Sequence, residues 1–155
     1  MRERAAGPLW ASLAVWIAVN SVNLLQTAGF LSRLYTGDMA MNHALGYGIM
    51  ALAVPVAAAL VGFVRARARW LAWAGPALFL AFVGFMVAVD YASPVPFRAP
   101  ARPAILIPYL GLFFGSILLM GLPMFSIARR LWAGTVATSV LLLGSMIVCV
   151  CAEGA

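Results

Sequence analysis

The chain has 155 residues, of which 65% are hydrophobic and only 9% charged, against about a quarter charged in soluble domains. A domain of this size has too much surface to hide so much apolar material in a core, so a soluble fold is excluded and lipid is the natural solvent. The formal charge of +6 does not form a nucleic-acid-binding patch: the cations are all arginines, and they stand at the ends of apolar runs, where the anionic leaflet and the insertion machinery favour them.

A membrane helix needs about 20 apolar residues. Five stretches qualify, at about 9–30, 44–64, 70–89, 104–125 and 132–151. The expected fold is all-α: a polytopic integral membrane protein forming one domain, a bundle of five transmembrane helices.

The first stretch follows Arg2 and Arg4 in the manner of a signal peptide. Its apolar run is too long for one and no strong cleavage site follows, so it is expected to be retained. Its second half reads VNSVNLLQTAGF. Asn20, Asn23 and Thr27 are spaced by three and four and share a face, with Gln26 at its edge. These groups lose hydrogen bonds if they face hydrocarbon. The stripe therefore faces other helices, as an interhelical hydrogen-bonding seam, or it lines a polar cavity.

The segment GDMAMNHALGYG leads into the second stretch, and the only histidine, His43, stands at its entrance. A lone histidine at a membrane interface serves either as a hydrogen-bonded structural residue or, because imidazole titrates near neutral pH and binds metals, as a ligand. Met39, Met41 and His43 form an M-x-M-x-H run whose thioethers and imidazole suit Cu(I), although methionine is also ordinary filler in apolar segments. Haem b would need ligation by His43 and a methionine, a five-coordinate iron, or a histidine from a partner. A quinone is the third candidate, with Tyr109, His43 and Asp90 as hydrogen-bonding partners for its head group.

Asp90 closes the third stretch, either as an exposed interfacial carboxylate, paired with Arg33, Arg98 or Arg102, or as a proton acceptor. The connection at 91–103, YASPVPFRAPARP, contains four prolines and is expected to run extended over the surface. Of the prolines within or near spans, mid-span Pro55 is the expected kink site. The fourth stretch carries Gly111 and Gly115 as a small-xxx-small face for close helix packing, within the bundle or against another subunit. In the fifth, Cys149 and Cys151 point about 200° apart on a helix, so a disulfide between them is not expected.

Counting arginines on alternate sides orients the bundle. Arg2, Arg4, Arg65, Arg67, Arg69, Arg129 and Arg130 fall on one side, and Arg33, Arg98 and Arg102 on the other. Glu3 is the only acid on the first side, while Asp38, Asp90 and Glu153 offset the arginines of the second. The positive-inside rule places the N-terminus inside and the C-terminus outside. Trp10, Trp70, Trp73 and Trp132 then mark the inner interface, and Tyr35 and Tyr91 the outer one. On these coordinates the polar groups gather in the outer half of the membrane: Gln26, Thr27, Asn42, His43, Asp90 and Tyr109, with Asn23 deeper in the first stretch. The predicted ligand-binding pocket comprises Asn23, Gln26, Thr27, His43, Asp90 and Tyr109.

No HExxH, GxSxG or phosphate-loop motif is present, and no carboxylate pair lies deep in a span as in a proton pump. Two classes of function follow. One is a non-catalytic membrane protein: a subunit of a larger membrane complex or homo-oligomer, or a binder of a hydrophobic ligand in an outward-facing pocket. The other is a redox or transport protein holding haem, quinone or copper through His43. A bacterial cytoplasmic membrane is the expected location.

Overall fold

The computed structural model describes residues 7–37, 40–92 and 102–153. All regular structure among them is helical: α1 (Leu9–Thr36), α2 (Ala40–Arg65), α3 (Trp70–Met86) running into a π-helical turn (Val87–Ala92), α4 (Pro103–Gly121), the single turn α5 (Met124–Ile127) and α6 (Arg129–Glu153). Five helical spans are long and apolar enough to cross a membrane. At most 39% of the apolar window of any span is buried. The outward-facing remainder includes Ile17, Leu24, Val54, Ile107, Leu118, Val140 and Ile147, a surface suited to lipid and to no other solvent.

The helix ends depart from the apolar stretches that predict them where a specific local stop intervenes: α1, α2 and α6 run past theirs, and α4 ends short. α1 ends at Gly37, whose left-handed backbone (φ 66°) lets its N–H bond the Arg33 carbonyl. α2 ends in a paired closure, Ala68 N–H to the Phe63 carbonyl and Arg67 N–H to the Val64 carbonyl. That closure holds Arg67 at φ 50°, a conformation usually left to glycine. The fourth span is interrupted: Pro123 has no N–H for the Leu119 carbonyl, and the chain turns through Leu122–Pro123 into α5 before Ala128 extends and α6 begins.

Lipid provides no hydrophobic drive between helices, so close approach and hydrogen bonds must hold the bundle. At Gly75 α3 lies directly against the backbone of α4. A Cβ there would lie 2.7 Å from the backbone carbon of Leu119 and the nitrogen of Met120 on α4. Below it Phe79, Phe82, Val83 and Met86 of α3 are buried in the core with Phe113, Ile117 and Met120 of α4. Gly115 admits Leu78 of α3, whereas Gly111, expected to share that packing face, has open space around it. At the N-terminal end of α1, Gly62 of α2 accommodates the Trp10 ring.

α1 packs against α2 on one side and α6 on the other, and α3 joins α2 to α4. α6 thus belongs to the bundle mainly through α1, and the seam between them is polar. The Trp16 indole N–H donates to the Leu131 carbonyl (2.8 Å). The Asn20 amide donates to Thr135 Oγ1 (3.3 Å), and Thr138 Oγ1 donates to Asn20 Oδ1 (2.8 Å). The Asn23 amide donates to Thr138 Oγ1 and Ser139 Oγ, both at 3.0 Å.

Candidate functional site

Where α1 and α3 finish and α2 and α4 begin, all five spans contribute to one cavity of about 310 Å³. This volume is at the lower bound for small-molecule sites, about 300–1,000 Å³. Its polar lining is Gln26 and Arg33 from α1, Asn42 and His43 from α2, Asp90 and Tyr91 from the π turn, and Tyr109 from α4. Its apolar lining is Phe30, Met86, Phe113 and Phe114, with Leu106 and Leu110 on α4 and Met146 and Val150 on α6.

The π turn builds one wall. It sends two adjacent residues to two different helices. Asp90 turns to α4, where its Oδ2 accepts a hydrogen bond from the Tyr109 hydroxyl (3.1 Å). Tyr91 turns to α2, where its hydroxyl donates to the His43 carbonyl (2.8 Å) and its ring meets those of His43 and Tyr47 at 5.6 and 5.2 Å. Gly46 makes room for this contact: a Cβ there would overlap the Tyr91 hydroxyl. Nothing in the VAVDYA pattern distinguishes a π turn from an α-helix, so only the structure discloses this geometry. Such turns recur at functional sites.

Below the polar rim Tyr109 is set edge-on against Phe82 (5.3 Å), and Phe82 adjoins Phe113 (5.1 Å), which adjoins Phe114 (5.0 Å). The cavity therefore has a hydrogen-bonding mouth over an aromatic floor. The lining carries both signs of charge, with Arg33 on α1 and Asp90 at the end of α3.

Of the residues expected in the pocket, Gln26, His43, Asp90 and Tyr109 are brought together. Asn23 and Thr27 are placed elsewhere. Asn23 is fully buried in the α1–α6 seam, and the Thr27 hydroxyl donates to the Asn23 carbonyl of its own helix (2.7 Å). The physical reason is rotational: the face shared by Asn20, Asn23 and Thr27 is taken by α6, and only Gln26, at its edge, opens into the cavity. His43 is exposed in the first turn of α2, two residues beyond exposed Met41. Met39, Asp38, Arg98, the N-terminal Arg2, Glu3 and Arg4, most of the proline-rich connection and the Glu153 side chain lie outside the described residues. Among the described residues no group of three or more His, Cys, Asp and Glu is placed to hold a metal ion. Cys149 is buried and Cys151 exposed, with no disulfide between them.

Sequence reasoning did not assign Arg33, Asn42 or the aromatic floor to the pocket. One signal was available: Phe113 follows Tyr109 by one helical turn and so shares its face. No protein-family model matches the chain, and no curated protein or solved structure matches it either.

Proposed function

We propose that this chain is a non-catalytic multi-pass membrane protein that binds a hydrophobic ligand by its polar head group in the cavity. The observation that carries the reading is the convergence of all five spans on one hollow with a hydrogen-bonding mouth and an aromatic floor. The positive-inside count supports an outward-facing mouth and an inward N-terminus, in a bacterial cytoplasmic membrane.

The lining also favours a head-group class. Arg33 and Asp90 give the lining both signs of charge and no net charge, so a neutral head with several hydrogen-bonding atoms suits it. A quinone has this form. Its carbonyl oxygens would accept from the amides of Gln26 and Asn42, while Tyr109 keeps its proton on Asp90. The flat ring suits the aromatic floor.

Titration of the purified chain with a short-tailed quinone tests the reading, with a fatty acid and a phosphocholine detergent monomer as competitors. Saturable binding of the quinone is expected, lost in Leu110→Trp, which fills the cavity from a position that is 38% exposed and so tolerant of size. Absence of saturable binding, or equal binding by Leu110→Trp, would overturn it.

A further inference from the structure

The cavity does not stop at its floor. α4 and α6 approach within 8 Å between Cα atoms at only a few points, and a second hollow of about 430 Å³ lies between them, further toward the arginine-rich end. Leu118 of α4, Leu122 just beyond it, and Val136, Val140 and Leu143 of α6 form its sides. Phe114 lines both hollows. On α4 Leu106, Leu110, Phe113, Ile117 and Gly121 line the two hollows at spacings of three and four and so share one face. On α6 a stripe runs from Val136 through Val140, Leu143 and Met146 to Val150. Cavity and groove lie end to end along α4 and α6 with Phe114 on the wall of both, a furrow that is polar at one end and apolar along the rest.

We propose that this furrow holds the single long hydrocarbon tail of the ligand whose head occupies the cavity, and that the ligand enters sideways from the bilayer between α4 and α6. The proposal rests on the head-group reading above. Length supports it: Leu106 to Leu122 spans about 24 Å at 1.5 Å per residue, while one leaflet of the hydrocarbon core is about 15 Å deep. The furrow thus suits a tail long enough to pass the bilayer midplane, as an isoprenoid chain does. Chemistry agrees as well, since Thr135 and Ser139 are the only hydroxyl-bearing side chains on the groove and the rest of its wall is hydrocarbon or aromatic, with Gly121.

The test uses the full chain in lipid nanodiscs and two quinones with the same head group, one with a single isoprenoid unit and one with a long polyprenyl tail. At equal concentration in the bilayer the long-tailed probe should bind more tightly, because the groove walls pack its tail more densely than fluid lipid does. Val140→Trp fills the groove from a position that is 62% exposed. It should reduce the long-tailed probe to the affinity of the short one and leave the short one unchanged. Leu118→Trp on the facing helix should do the same, which guards against a folding defect in either variant. Equal affinity of the two probes, or a tail preference that survives both variants, would overturn the proposal. So would a dimer in nanodiscs that Val140→Trp dissociates, which would assign the groove to a second copy. Binding of the short probe without a tail preference would refute the tail site alone, whereas no binding of either probe would refute the head-group reading and the tail site with it.

Discussion

Thr138→Val probes the seam that attaches α6 to the rest of the bundle. The Thr138 hydroxyl donates to Asn20 Oδ1 at 2.8 Å and accepts from the Asn23 amide at 3.0 Å. Valine keeps the branched shape and removes both interhelical bonds. Such bonds in membrane helices average about 0.6 kcal/mol and reach about 1.7, so the loss should be about 1–3 kcal/mol. The upper half of that range is favoured because the seam has little reserve. Asn23 Oδ1 is already buried without a partner, and the substitution removes the Thr138 bond to a second amide oxygen, that of Asn20. The companion Thr27→Val is the control. Thr27 belongs to the same stripe, yet its hydroxyl bonds only the Asn23 carbonyl of its own helix, so its loss should cost less than about 0.5 kcal/mol. Reversible unfolding in mixed micelles, followed by circular dichroism, measures both. Equal costs for the two variants, or a negligible cost for Thr138→Val, would refute the assignment of the stripe to the α1–α6 seam.

Gly75→Ala should destabilise the bundle by about 1–3 kcal/mol, because the added carbon meets α4 backbone at 2.7 Å; Gly111→Ala, with open space around it, should leave the melting temperature unchanged. Gly46→Ala should displace Tyr91, break its bond to the His43 carbonyl and weaken binding of the short-tailed quinone by about tenfold or more; unchanged affinity would dissociate Tyr91 from the site. Cys151 is exposed near the end of α6 and should react with a membrane-impermeant maleimide added outside intact cells. Labelling only after the membrane is opened would reverse the proposed orientation.

The five spans were legible from apolar length alone, because hydrocarbon thickness sets the required run and nothing competes with it. Their ends were not, because Gly37, the Arg67 closure and Pro123 act through individual backbone hydrogen bonds that hydropathy does not register. The Asn20–Asn23–Thr27 face was visible as something that must be covered. Its partner was not, since the Thr135, Thr138 and Ser139 cluster on α6 is more than 100 positions away along the chain. Depth in the membrane follows from chain order, so Gln26, His43, Asp90 and Tyr109 could be placed at one level. Their lateral meeting depends on helix rotation and on the π turn, which a pattern of apolar residues does not encode. The same holds for the furrow, which exists because α6 sits on α1 and leaves α4 barely touched.

The most direct measurement is mass spectrometry of the chain released intact from its native membrane in mild detergent. The account predicts one copy of a neutral-headed, long-tailed amphiphile bound per chain, absent from Leu110→Trp. A chain that carries no such molecule, or a Leu110→Trp variant that retains it, would contradict the claim that the converging cavity is a ligand site.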